Sequence, residues 1–382
     1  VELVVDGVGY RKALEGEFSR AKKRIYFQCL SFEADTIGEW IAAELLKHKH
    51  LDCRLIVDDY SFYIVNDVLL KGQITPQNEI HFSERDRTKK LIEKLKANGI
   101  KVTVTHPVNG LMFRLAARQH RKITVIDDVA FVGGINLCEH NFHWHDFMVR
   151  MTEPEIVGEL VTDFLANENR EMRGGIQEIG PQSKILYFNG ESSNAATEYL
   201  FEQFKKARHE IVLISPYIGF PFWDLLRKAK ARGVVVKILV PHVNNWKLYE
   251  KYTQAEVANS GFEVRSYPEM LHMKALFIDG AKLFFGSANF EYLGLELHQE
   301  MLIETQDALL IRQFMQQIME KSFSQSPHRE YESLPLFLRI FYKWGFKGAL
   351  KALKIVNKLD WPQKARFQKI EITSARWRGP QL

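Results

Sequence analysis

His120-Arg-Lys122-Ile-Thr-Val-Ile-Asp127 is answered 152 residues later by His272-Met-Lys274-Ala-Leu-Phe-Ile-Asp279. His, Lys and Asp recur at the same spacing, and the rest is largely apolar. Reading outward, each copy passes through a short apolar stretch into Gly133-Gly134-Ile135-Asn136 or Gly286-Ser287-Ala288-Asn289, and a carboxylate follows, Asp146 or Glu300. Upstream, Phe18-Ser-Arg-Ala-Lys-Lys-Arg-Ile25 pairs with Phe204-Lys-Lys-Ala-Arg-His-Glu-Ile211, and β-rich runs follow at Cys53 to Val57 and Val234 to Val240. Ala97-Asn-Gly-Ile-Lys-Val-Thr-Val104 and Ala258-Asn-Ser-Gly-Phe-Glu-Val264 each read as a helix end leading into a strand. One unit of strand, helix, strand, helix, strand is therefore present twice.

That order predicts an α/β fold of two half-domains, each a mixed sheet flanked by helices. The first half is expected over residues 1–171 and the second over 185–325. The Gly and Pro punctuation of Met172-Arg-Gly-Gly-Ile-Gln-Glu-Ile-Gly-Pro181 predicts a linker over 172–184, and a basic extension fills 326–382.

The chain has 382 residues, and its formal charge of +5 is too mild to select a partner by itself. Three widely spaced cysteines, Cys29, Cys53 and Cys138, fit neither a disulfide framework nor a paired zinc pattern, and point to a reducing compartment. No run of about 18 apolar residues appears, so no transmembrane helix is expected. The chain opens at Val1 on a strand-like run, which leaves room for an upstream leader or anchor.

Residues i and i+2 of a strand share a face, so His120 with Lys122, and His272 with Lys274, are expected to project together. The Asn136 and Asn289 amides can donate to a phosphate oxygen. Two imidazoles, two ammonium groups and two amides suit an anionic phosphodiester, whose non-bridging charge the lysines offset; neither metal nor other cofactor is required. A single His beside a strand would carry little weight. The repetition is what makes the pattern specific.

These residues resemble the signature of the phospholipase D superfamily, H-x-K-x4-D followed by G-S-x-N and a later acidic residue. The resemblance covers most of residues 1–325 and looks strongest towards bacterial cardiolipin synthases, on His120 to Asp127, Ala130-Phe-Val-Gly-Gly-Ile-Asn136 and Ser31-Phe-Glu-Ala-Asp-Thr-Ile-Gly38. It implies a duplicated phospholipase D-type fold with pseudo-two-fold symmetry, in which both motifs meet at one active site. It also implies a phosphohistidine intermediate, with His120 as nucleophile and His272 as general acid and then base. Lys122, Lys274, Asn136, Ser287 and Asn289 would bind phosphate, and Asp146 and Glu300 would orient the imidazoles. Asp127 and Asp279 complete the catalytic motifs, and are expected to stabilise the fold around the site instead of touching substrate. Two departures fall in the first copy. Gly134 stands where the pattern has Ser, and five residues instead of six separate Asp127 from Gly133, which puts the register of Asn136 and Asp146 in question.

The activity so implied is transfer of a phosphatidyl group from phosphatidylglycerol to a lipid or glycerol hydroxyl. Hydrolysis by the same intermediate, as in a phospholipase D, is one alternative. A nucleic-acid phosphodiesterase is another, disfavoured because basic residues do not gather around the motifs. The tail supplies an independent hint of lipid. Arg339, Lys343, Lys347, Lys351, Lys354 and Lys358 fall on one helical face of Pro335 to Trp361, amid Phe337, Phe341, Trp344, Leu353, Val356 and Trp361. The expected setting is the cytoplasmic face of a membrane, bound peripherally to anionic lipid, with no obligate protein partner. A helix packed on its own domain with its lysines in water is the competing reading. Leu111-Met-Phe-Arg-Leu115 reads as acyl-chain entrance, core or an ordered loop. The His140-Asn-Phe-His143-Trp-His145 cluster reads as a loop supporting the site in preference to a metal centre, and Asp58-Asp59 as a polar strand end.

Overall fold

In the computed structural model the described residues are 1–70, 72, 74–76, 78–190, 194–258, 260–359 and 368–372. They divide into two units, the first ending at Glu171 and the second beginning at Met172.

The first unit is built on the strands β1 (Glu2–Val5), β2 (Arg24–Cys29), β3 (Asp52–Asp58), β6 (Lys101–Thr105), β7 (Ile123–Ile126), β8 (Val129–Gly133) and β9 (Phe147–Met151), with a small hairpin of β4 (Ile64–Val65) and β5 (Val68–Leu69) beside them. Their order is β1-β9-β8-β7-β2-β3-β6. β2, β3 and β6 run parallel, and β2-β7-β8-β9-β1 are antiparallel neighbours. The second unit holds β10 (Glu171–Ile179), whose first residue precedes the division, and β11 (Ser183–Phe188), β12 (Glu210–Ile214), β13 (Val235–Pro241), β14 (Glu263–Tyr267), β15 (Ala275–Ile278), β16 (Lys282–Gly286), β17 (Glu300–Thr305) and β18 (Gln368–Ile372). From β14 to β11 its order is β14-β13-β12-β15-β16-β17-β11, with the same parallel and antiparallel pairings as the first unit. The duplication is thus one of topology, strand for strand.

Local sequence explains the pieces. β2 and β3 are central and parallel, so they need apolar side chains on both faces: Ile25, Phe27, Leu55 and Val57 are buried on one, Tyr26 and Ile56 on the other. Helix Thr36–Lys47 starts where Asp35 accepts from the amides of Ile37 and Gly38, and sends Ile41 and Leu45 into the core. Helix Glu79–Ala97 stops at Asn98 and Gly99, whose φ of +88° suits a residue without a Cβ. In the second unit Leu200, Phe204, Trp223 and Leu226 from helices pack on Ile211, Leu213 and Ile238 of the sheet.

The expected linker is corrected. Residues 171–179 and 183–188 are antiparallel strands of the second sheet. The glycines that suggested a joint have another use: at Gly175 (φ +114°) a Cβ would lie 2.3 Å from the carbonyl oxygen of Ile372.

The extension is helical from Leu336 to Leu359, with a π-helical stretch at Phe341–Gly345. Three of its lysines face the second unit's body. Lys343 pairs with Glu256 at 3.1 Å, Lys354 pairs with Glu296, and Lys347 sits 3.7 Å over the Phe220 ring. Phe346 packs on Tyr252, while Leu336, Phe337, Ile340, Phe341 and Trp344 are exposed. Trp361 and the side chain of Lys358 lie outside the described residues.

Candidate active site

The ladder registers put the motif residues of each half on one edge of its sheet. In the first unit His120 and Lys122 precede β7, Asn136 follows β8 and Asp146 precedes β9; Ile123 pairs with Val132, and Gly133 with Met148. The same edge receives the C-terminal ends of parallel β2 and β3, the side on which open α/β sheets bind ligands. The second unit repeats this with His272 and Lys274 before β15, Ser287 and Asn289 after β16, and Glu300 at the start of β17.

Neither His–Lys pair lies inside a strand, as the alternation argument assumed; β7 begins at Ile123 and β15 at Ala275. The carbonyl oxygens of His120 and His272 accept from their own motif's lysine, Lys122 at 2.6 Å and Lys274 at 2.5 Å. The Lys274 Nζ is also 2.8 Å from both ring nitrogens of His272. Both lysines are about 1% exposed. Burying an ammonium is costly, which makes each pair a natural anion site.

The one-residue difference between the motifs is absorbed in the hairpin turn. Ile126 pairs with Val129 and Ile278 with Lys282, so the loops differ by one residue and the strand registers behind Gly133 and Gly286 agree. Asp127 and Asp279 occupy these turns with φ near +50°. Asp127 accepts from the amides of Lys22, Lys23 and Arg24, and Asp279 from those of Arg208, His209 and Glu210. Burial pushes both carboxyls up, but the amides outweigh it and hold them below the usual range.

Gly134 has a steric reason. A Cβ there would fall 2.3 Å from the Asp146 Oδ2. The Asp146 Oδ1 accepts from the Phe147 amide at 2.8 Å, while in the second half the equivalent Met301 amide donates to the Ser287 hydroxyl at 3.1 Å. Asp146 thus does for β9 what Ser287 does for β17. Glu300, fully buried, has its Oε1 3.7 Å from the His298 Nδ1.

The two asparagines also differ. The Asn136 Oδ1 accepts from the amides of Leu30 and Ser31, and its Nδ2 donates to Asn141. The second half offers no such amides. Pro216 stands where Leu30 does and has no N–H, and the Tyr217 amide donates to the Ser215 hydroxyl. The buried Asn289 Oδ1 has no hydrogen-bond partner among the described residues.

Sequence reading missed the scaffold under the first motif. Asp58, fully buried at the end of β3, accepts from the Arg118 guanidinium at 2.7 Å and from the amides of Gln119 and Tyr60. Burial pushes its carboxyl up to about 6 despite Arg118. The Gln119 Oε1 accepts from the Arg121 amide, and Arg121 forms a buried ion pair with Asp163 at 2.7 Å. In the second half Leu271 and Met273, both fully buried, take the places of Gln119 and Arg121. The signal was the charge pattern Arg118-Gln-His-Arg-Lys122, dense for a buried segment. Among the other candidates, Leu111 and Met112 are exposed, His143 is exposed on its short helix, and the His145 Nδ1 lies 2.7 Å from the Asp6 Oδ1.

Residues 14–167 and 200–323 match the family described as cardiolipin synthase, PLD-like domain. Minor cardiolipin synthase ClsB of Bacillus subtilis is 28% identical over 214 residues, 51% of this chain and 54% of that protein. Cardiolipin synthase 1 of Staphylococcus epidermidis is 26% identical over 382 residues, 89% of this chain and 71% of that one. The match to the first therefore spans about half of the relative's length. A phosphatidylserine synthase structure from Haemophilus influenzae shares the fold, with a TM-score of 0.66 at 16% identity over 93% of this chain and 94% of that one. With both halves matched in sequence and repeated strand for strand, the chain belongs to the cardiolipin synthase-type PLD-like family, an enzyme family of the phospholipase D superfamily.

Proposed function

We propose that this chain is a phosphatidyltransferase of the cardiolipin-synthase type, taking a phosphatidyl group from phosphatidylglycerol and passing it to a lipid or glycerol hydroxyl. The observation that carries the reading is the His–Lys pair, buried at the same sheet edge in both halves of a chain of this family. Both pairs serve one phosphodiester. Neutral His120 attacks phosphorus and forms an N–P bond while the P–O bond to the leaving alcohol breaks. Protonated His272 gives its proton to that alcohol, then takes the proton of the acceptor hydroxyl as its oxygen attacks and the N–P bond breaks. Lys122, Lys274 and Asn289 hold the non-bridging oxygens. Ser287 and Asn136 are proposed to act through the backbone they hold, and Asp146 and Glu300 to orient the rings. Asp127 and Asp279 are proposed to hold the fold.

Among the described residues no helix is long and apolar enough to cross a membrane. The reading places the protein at the cytoplasmic membrane surface, held peripherally by the helical extension. The test is lipid product analysis after incubating the protein with phosphatidylglycerol vesicles, with and without glycerol. Dimeric lipid and free glycerol, both lost in His120→Ala and in His272→Ala, are expected. Phosphatidic acid alone would make the protein a hydrolase, and turnover of nucleic acid without turnover of lipid would overturn the reading.

A further inference from the structure

The first unit contains a second cluster of reactive side chains that the transfer chemistry does not use. Cys138 and His140 follow Asn136 by two and four residues, and the Cys138 Sγ lies 3.7 Å from the His140 Nε2. The other ring nitrogen, Nδ1, is 3.9 Å from the Glu33 Oε2, and Nε2 is 3.9 Å from the Asp67 Oδ1. One ligand atom each from Glu33, Cys138 and His140 fall within 4.8 Å of one another. These side chains come from three separate segments: the loop after β2, the β4–β5 turn, and the short helix Glu139–His143 with the residue before it. Glu33 and His140 line a cavity of about 490 Å³, with Asp35, Glu84 and Glu139 on its wall.

The cluster is not explained by its own contacts. Glu33 is 1% exposed, and among the described residues no lysine or arginine lies in ion-pair range of it. The Asn66 amide is its hydrogen-bond donor, while Asp35, Glu84 and Asp67 add negative charge around it. A carboxylate withdrawn from water among other carboxylates is expensive unless it keeps its proton or a cation joins it. Cys138 is fully buried among the same carboxylates as a free thiol.

We propose that Glu33, Cys138 and His140 form a zinc site, with Asp67, close to the His140 Nε2, moving in as fourth ligand. Tetrahedral zinc with bonds of about 2.3 Å to sulfur and 2.0–2.2 Å to nitrogen and oxygen holds its donors roughly 3.3–3.8 Å apart. Cys138 and Asp67 lie 3.7 and 3.9 Å from the His140 Nε2 and need only small closure, whereas Glu33, whose 3.9 Å contact is with Nδ1, lies within 4.8 Å of the Cys138 and His140 donors and must close further. A thiolate, an imidazole and carboxylates select zinc over magnesium or calcium, which take oxygen ligands. Asp35 is less available as a ligand, because its Oδ1 caps the helix Thr36–Lys47 and its Oδ2 accepts from the Glu139 amide. It contributes field, as does Glu84. The role is structural. Asn136 clasps the amides of Leu30 and Ser31, and a metal between Glu33 and Cys138 would fasten the same two segments a few residues on.

Metal content by mass spectrometry, after zinc loading and exhaustive dialysis of the full chain, is expected to give one zinc per chain. Cobalt substitution should add the thiolate charge-transfer band and raise the melting temperature. In Cys138→Ser the band should vanish and zinc affinity should fall at least tenfold. Since Cys138 is buried, His140→Gln, altering a partly exposed ring, is the second variant and should show the same loss of affinity. The double variant His120→Ala/His272→Ala should keep its zinc. Zinc that survives both cluster variants, zinc lost with the catalytic histidines, or no retained zinc in the parent protein would each overturn the proposal.

Discussion

At the scale of single residues the two halves have solved one problem with different pairs. Ser287 serves the backbone of β17 from the loop after β16, and leaves Glu300 its full length. Asp146 serves β9 itself and needs the space of a missing side chain at residue 134. Gly134→Ser should therefore cost on the order of 2 kcal/mol, as overpacking does. Adding Asp146→Glu should recover more than half of it, read as a double-mutant cycle in urea unfolding. Additive losses would sink the coupling. The asparagines divide in the same way. Asn136→Ala strips the buried Leu30 and Ser31 amides of their acceptor and should lose about 1–3 kcal/mol of stability. Asn289→Ala should leave stability nearly unchanged and lower kcat by about 10² if its amide meets the developing charge. Equal effects of both variants on stability would refute this division.

At the scale of elements, what was legible in the sequence was whatever repeats or alternates. Both α/β halves and the helix ends at Ala97 and Val257 follow from local pattern. The hairpin Glu171–Phe188 did not, because Gly175 serves a close backbone approach from Ile372, a contact remote in sequence. The buried network of Asp58, Arg118, Arg121 and Asp163 was invisible for the same reason: nothing local says that a charged residue is buried beside its partner. That network has a pH signature. The Asp58 carboxyl, raised to about 6 by burial, keeps between roughly pH 4 and 6 a proton that the unfolded chain has released. The native state binds more protons in that window, so this group makes stability fall as pH rises through it, by about 3 kcal/mol. Asp58→Asn should flatten that slope whatever its effect on overall stability. Unfolding curves from pH 4 to 7 with the same slope in both proteins would show that Asp58 is ionised throughout.

At the scale of the whole molecule, duplication supplied two sets of the same groups, and divergence made them unlike. The first motif rests on buried charge and the second on Leu271 and Met273, so the surroundings of His120 and His272 differ, as the proposed division of acid and nucleophile between them requires. The extension differs from expectation in orientation. Lys343, Lys354 and Lys347 are committed to Glu256, Glu296 and the Phe220 ring, while Leu336, Phe337, Ile340, Phe341 and Trp344 are exposed. A surface bearing Leu336, Phe337, Ile340, Phe341 and Trp344 suits insertion into the acyl boundary of a bilayer, where a lipid-transferring enzyme meets its substrate. Contact through apolar side chains should resist salt, whereas contact through a lysine stripe should not. Phe337→Ser/Trp344→Ser should weaken binding to phosphatidylglycerol vesicles at least tenfold in flotation assays, by analogy with the 1.5–3 kcal/mol gained on burying one large apolar side chain. Activity on detergent-dispersed lipid should persist, because neither residue belongs to the His–Lys sites. Vesicle binding that survives the double variant but disappears in about 0.5 M salt would return the role to the basic residues.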